Sequence, residues 1–253
     1  MMFRSRRIWI VIDRVTIIAL LVASGAIVWK LVLPTVAAEP LSQPAAAGIA
    51  SDAPVSPIQS ASGRLPSDVV KNAAGKGEST AKAAIVEFSD YQCPFCARFA
   101  KESYPEIERQ LIDTGKAQYR VLNLPLEHSH PAAFAAAKVA ECAREEGKFW
   151  DVRDRLFANQ AAFDASGVLD SALNAGVESE RLHMCLGDQR VSRMIKTQQN
   201  EAQRMGVIAT PTFIVGYVED DGSIQAVKKI VGAHTADVFS AAIDSLALAK
   251  HTH

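Results

Sequence analysis

Apolar positions along the chain fall into three regimes. Residues 15–29 (VTIIALLVASGAIVW) are apolar or small without a break and carry no charge. Residues 34–66 show neither a helical nor a strand period, and Pro40, Pro44, Pro54 and Pro57 would interrupt either one. From Ala81 onward short apolar runs alternate with helical spacing. The pattern predicts a buried strand over 84–88, a loop over 89–92 and a helix over 93–111 with a kink at Pro105. A second strand follows over 118–122, then a turn at His128-Ser129-His130 between Pro125 and Pro131. Helical spacing returns over 132–144, 149–159, 168–175, 178–186 and 190–205, where Gly206 closes the block. Strands over 213–215 and 224–231, joined across Glu219-Asp220-Asp221-Gly222, precede a last helix over 235–250.

This order predicts an α/β domain over 75–253, in which a helical insertion (about 131–205) separates two halves of a small mixed sheet. Ahead of it, residues 34–74 read as a Pro/Ala/Ser-rich tether, and residues 1–33 as a signal-anchor or transmembrane segment. Arg4, Arg6, Arg7 and Arg14 flank the apolar run and would stay on the inner side, exporting the rest. Val36-Ala37-Ala38 resembles a signal-peptidase site, but bulky Leu31 and Leu33 and the charge of Lys30 lie between it and the run. An uncleaved anchor in the inner membrane is therefore the expectation, with cleaved secretion to the periplasm as the alternative.

Charge changes the picture only by exclusion. A formal net charge of -1 and the lack of an aromatic-studded basic patch argue against a nucleic-acid partner. The cysteines say more. Four are present, too few to staple a core-poor mini-fold, and two of them form Cys93-Pro94-Phe95-Cys96. This motif follows a strand and opens a helix, and Pro94 fits the first turn, where its missing N–H is not needed. Helix N-termini present unpartnered N–H groups and partial positive charge, which favour a thiolate on Cys93. Cys96, one turn on, would be the resolving thiol, with Cys93 the exposed attacker. Half of a zinc site or an inert pair is the competing reading. Zinc would need a second closely spaced ligand pair, and Cys142 and Cys185 are 43 residues apart.

The segment 86–96, Val-Glu-Phe-Ser-Asp-Tyr-Gln-Cys-Pro-Phe-Cys, resembles the active-site region of the DsbA family of exported thiol–disulfide oxidoreductases. The helix over 132–144 resembles that family's first inserted helix, and Gly206-Val207-Ile208-Ala209-Thr210-Pro211-Thr212-Phe213 resembles its cis-proline loop. The resemblance covers residues 75–250 and implies a thioredoxin-like fold. It also implies that Pro211 is cis and faces the cysteines, that the Thr210 backbone pairs with an extended substrate, and that Glu87 is a buried acid serving Cys96. The alternatives are a trans turn proline and an exposed strand-edge carboxylate. Asp90 would cap the helix or shape the loop. Some family members carry an extra bridge comparable to Cys142–Cys185, so a structural disulfide is expected there, against two buried free thiols.

The function so implied is disulfide introduction into exported, cysteine-containing proteins, with a membrane-embedded, quinone-linked thiol oxidase as the reoxidant. It needs no cofactor. Reduction or isomerisation, a non-catalytic peptide-binding module on the same fold, and metal handling are the competing functions. His128 and His130 are a tempting metal pair, but a structural turn is the expectation. The best-known members of the family place His where Phe95 stands. Phe95 offers neither a hydrogen bond nor charge to Cys93 but does present an apolar surface to substrate, so a weaker oxidant is expected.

Overall fold

The computed structural model describes residues 58–250. One mixed sheet runs in the order β1 (Ile58–Ser60), β7 (Ile224–Val231), β6 (Thr212–Val218), β4 (Ala83–Ser89), β5 (Gln118–Asn123), β3 (Ala74–Lys76). Its centre is β4 (Ala83–Ser89), which pairs in parallel with β5 (Gln118–Asn123) and antiparallel with β6 (Thr212–Val218). The next strand out is β7 (Ile224–Val231), antiparallel to β6. A central strand must bury both faces, and β4 does so by alternation. Ile85 joins Phe99, Phe213 and Phe239 on one side, while Val86 and Phe88 join Leu65, Leu122 and Ile214 on the other. Glu87 falls on the Ile85 side, where the alternation calls for an apolar residue, and is fully buried there.

The expected tether over 34–74 requires correction within its described part. Residues 58–76 supply β1 (Ile58–Ser60), β2 (Arg64–Leu65), the short helix α1 (Ser67–Lys71) and β3 (Ala74–Lys76). β1 and β2 pair with β7 at one edge, and β3 pairs with β5 at the other. Strands of two or three residues are too short to leave a period in the sequence. They are held by edge pairing and by Leu65, Val69 and Val70, all buried. Residues 1–33 lie outside the described residues. Among the described residues no helix is long and apolar enough to cross a membrane.

The helix expected over 93–111 is broken. α2 (Pro94–Glu102) ends at Ser103, and α3 (Tyr104–Ile107) continues into a wide turn, Glu108–Ile112. Pro105 is the cause: its ring would collide with the carbonyl of Lys101 and it has no N–H to donate.

The insertion lies between β5 and β6. It comprises α4 (Ala133–Glu145), α5 (Phe149–Ala158), a 3₁₀ turn (Gln160–Ala162), α6 (Ala165–Leu173), α7 (Ser179–Gly187) and α8 (Gln189–Arg204). Cys142 on α4 and Cys185 on α7 form a disulfide, Cα to Cα 5.8 Å. Gly206 follows α8 with φ of 64°, the left-handed conformation that ends helices and favours glycine. The last helix, α9 (Ala236–Lys250), packs Phe239 against Phe99 and Phe213. The α2 helix is thereby seated on the sheet with its first turn facing the β6 end.

Candidate active site

Cys93 is the N-cap residue of α2, with extended backbone (φ -74°, ψ 122°), and no side chain caps this helix. Its thiol donates to the carbonyl of Thr210 at 3.3 Å. The Thr210–Pro211 peptide bond is cis. Thr212 Oγ1 donates to Ala209 O at 2.7 Å, and Gly232 N donates to Pro211 O at 2.8 Å, so the loop is fastened on both sides of the proline. Residues more than a hundred positions apart thus meet at one sulfur. Cys93 differs from the exposed thiol expected: it is 4% exposed, tucked under the Thr210 carbonyl. The exposed apolar side chains of these two segments are Phe95, with Arg98 5.2 Å over its ring, and Ile208.

The two thiols are pushed in opposite directions. That of Cys93 is lowered to about 6. Its hydrogen bond with Cys96 contributes most, followed, against the cost of burial, by the Thr210 side chain and the N–H groups of Cys96 and Phe95. Cys96 is fully buried, and burial drives its thiol well above the ordinary value; its hydrogen bond with Cys93 and the charge of Glu87 add to this. One cysteine is a stabilised thiolate and good leaving group at neutral pH, and the other keeps its proton until a base takes it.

Glu87 accepts from Ser89 Oγ at 2.7 Å and from the Tyr119 hydroxyl. Burial and then Glu87 push Tyr119 well up, so its hydroxyl stays a donor. Facing Glu87 is Arg153 of the insertion, Nη2 to Oε2 3.8 Å, also fully buried. Its guanidinium lies 4.4 Å over the Tyr104 ring and 5.3 Å over that of Phe157. Burial opposes the Arg153 charge, but Glu87 first and Tyr119 next outweigh it and keep it protonated.

The approach loop is built around Asp90, which is buried. Its Oδ1 accepts from Gln92 N, and its Oδ2 from Leu126 N, each at 2.8 Å. His130 Nδ1 lies 2.9 Å from the same Oδ2. Of the two roles expected for Asp90, the contacts are those of loop shaping. No group of three or more His, Cys, Asp or Glu among the described residues is placed to hold a metal ion.

Arg153, Tyr119 and Gln160 escaped the sequence reading. Arg153 left a signal: Phe149, Val152, Arg153 and Leu156 share one helical face, so a charge stands on the apolar side of α5. Gln160 left none, being one polar residue in a turn.

A family model described as Thioredoxin matches residues 71–244. Of curated proteins, the Na(+)/H(+) antiporter NhaA 3 of Salinispora tropica is 32% identical over 140 residues, 55% of this chain and 21% of the antiporter. Disulfide bond formation protein D of Bacillus subtilis is 27% identical over 146 residues, 55% of this chain and 65% of that protein. The chain therefore spans about a fifth of the antiporter's length and just under two thirds of protein D. Of solved structures, Wolbachia pipientis alpha-DsbA1 superposes with a TM-score of 0.60 at 22% identity, over 72% of this chain and 92% of that one. It shares the fold. The family match takes in more than half of the residues, and with the DsbA-like architecture around it, this chain belongs to the thioredoxin family.

Proposed function

We propose that the domain is a thiol–disulfide oxidoreductase that introduces disulfides into exported proteins. The observation that carries this is the placing of Cys93 Sγ at a helix start, against the carbonyl before a cis proline, with Cys96 buried behind it. In the oxidised pair a substrate thiolate attacks Cys93 Sγ. The Cys93–Cys96 bond breaks, Cys96 leaves with the electron pair and takes up a proton, and a mixed disulfide joins Cys93 to the substrate. A second substrate thiolate attacks the substrate sulfur of that bond, and Cys93 departs as a thiolate. Two electrons have passed to the pair and one disulfide to the substrate. A thiol with a value of about 6 is a good leaving group at neutral pH, which favours this direction.

Glu87 serves as the proton donor and acceptor for Cys96, within its cage of Ser89, Tyr119 and Arg153. Phe95 and the Thr210–Pro211 backbone receive the substrate, an extended segment pairing at Thr210. A membrane-embedded, quinone-linked thiol oxidase reoxidises the pair. The domain works outside the cytoplasm, held at the inner membrane by residues 1–33. The test is oxidation of a reduced two-cysteine peptide by the full chain. Wild type converts it stoichiometrically, whereas Cys96→Ser and Cys93→Ser, which lack the Cys93–Cys96 disulfide, leave it reduced; offered the oxidised peptide instead, Cys96→Ser forms the mixed disulfide through Cys93 and Cys93→Ser does not. Equal turnover by Cys93→Ser refutes the reading.

A further inference from the structure

Gln160 sits in the 3₁₀ turn that leaves α5. Its Nε2 donates to the Tyr91 carbonyl at 2.7 Å and to the Cys93 carbonyl at 2.9 Å. A single side-chain amide spends both of its hydrogens on the two carbonyls that bracket Gln92, directly before the active helix. The other anchors of this loop come from the loop and helix themselves or act further back: Cys93 N donates to Asp90 O at 3.1 Å, and Ala97 N donates to the Cys93 carbonyl at 3.2 Å. Asp90 holds the Gln92 and Leu126 amides, and Gln92 Oε1 accepts from Ala132 N at 2.9 Å. Gln160 is the contact that reaches from the insertion to the peptide of Cys93 itself.

Two consequences follow for the sulfur. Its anion is favoured by the N–H groups of Phe95 and Cys96, which point usefully only while Cys93 keeps its extended backbone. A carbonyl whose negative end is taken by a donor also repels a neighbouring thiolate less. We propose that Gln160 is a positioning residue for the exchange reaction: by fastening the Tyr91 and Cys93 carbonyls, the insertion holds Cys93 in its reactive geometry. The inference rests on the exchange reading above and adds to it a polypeptide segment outside the sheet-and-helix core.

The measurement is the pH dependence of Cys93 alkylation by iodoacetamide in the full chain with the Cys93–Cys96 pair reduced, followed by peptide mass. The titratable groups facing Cys93 are Cys96 on its own helix, Glu87 on β4 behind Cys96, and the Asp90–His130 couple of the flanking loops. All stay in place in the variants. Gln160→Met, which keeps the length and removes both donors, raises the midpoint by about one pH unit. The rate near pH 5 then falls about tenfold while the plateau near pH 10 is unchanged. Gln160→Glu alters only the terminal group and turns a carboxylate on the same carbonyls. It raises the midpoint at least as far, and it carries the test should Gln160→Met fail to fold. Midpoints equal to wild type in the folded variants overturn the inference. A wild-type midpoint at the free-thiol value of about 8.5 overturns the exchange reading instead.

Discussion

Arg153 Nη2 lies 3.8 Å from Glu87 Oε2, with both side chains shut away from water, and the two belong to different halves of the fold. Glu87 is on the central strand and Arg153 on the second helix of the insertion. Removing one partner from such a pair leaves the other charge buried and uncompensated, at a cost of about 3–5 kcal/mol. Arg153→Met is therefore expected to destabilise the chain by that order in urea unfolding. Glu87→Gln combined with Arg153→Met is expected to recover most of the loss, because no charge is left stranded. A double variant as unstable as the sum of its singles would show that the two residues do not act as a pair. Glu87→Gln alone is expected to slow resolution of the Cys93 mixed disulfide by Cys96 on the order of a hundredfold, the usual reach of a general base.

The lower sheet-side chemistry was legible because it is written contiguously. Residues 84–96 carry a buried strand, a loop and Cys-Pro-Phe-Cys, and the cis-proline segment is a second short run. What the sequence hid has a common physical cause: partners chosen by three-dimensional packing. Glu87 is expected as a buried acid, but nothing in the sequence pairs it with Arg153. Gln160 is an ordinary turn residue until its amide is found on the Cys93 carbonyl. The edge strands over 58–76 were missed for a different reason. They derive their conformation from β7 and β5 and not from any pattern of their own.

The opposed thiols give the reduced chain a defined pH response. Cys93 falls to about 6 in the folded chain, whereas an unfolded thiol titrates at about 8.5. Between these values the native state binds fewer protons than the unfolded one, so stability rises with pH. The contribution is complete above about 8.5 and is lost as pH falls through about 6, with a slope of about 1.4 kcal/mol per pH unit at most. Cys96 acts with the opposite sign, because its folded value is raised, and it withdraws stability above about pH 8.5. Reduced wild type compared with Cys93→Ala in urea titrations isolates the first effect. No change in that difference between about pH 6 and 8 contradicts the assignment.

Phe95 is more than half exposed, at 53%, so its replacement costs no core packing. Phe95→His puts a donor and a titratable charge beside the Cys93 thiolate. Stabilising the thiolate stabilises the reduced pair and makes the disulfide more oxidising. Wild type is expected to lie below about -120 mV, the potential of DsbA, and Phe95→His to rise by about 30 mV or more, a tenfold change in equilibrium constant. Equilibration with glutathione measures both values. A wild-type potential at or above about -120 mV would mean that the helix terminus and the Thr210 loop supply all the activation that a histidine supplies elsewhere.

Cys142 and Cys185 close a loop of 43 residues within the insertion, joining α4 to α7. The bridge joins two helices of the insertion and no hydrogen bond links it to the redox pair among the described residues, so its effect on exchange is expected to pass through the insertion's stability. In the chain-entropy view a bridge of that span contributes roughly 4 kcal/mol by restricting the unfolded chain. Cys142→Ala with Cys185→Ala removes the constraint and also opens space beside Cys142, which is buried at 3% exposure. The double variant is expected to unfold at lower urea by about that energy while the folded fraction keeps its Cys93 alkylation midpoint. The midpoint is the more discriminating readout. Because Arg153 and Gln160 both reach the active site from the insertion, a bridge that tunes the site would shift it, and a bridge that only holds the helices together would not.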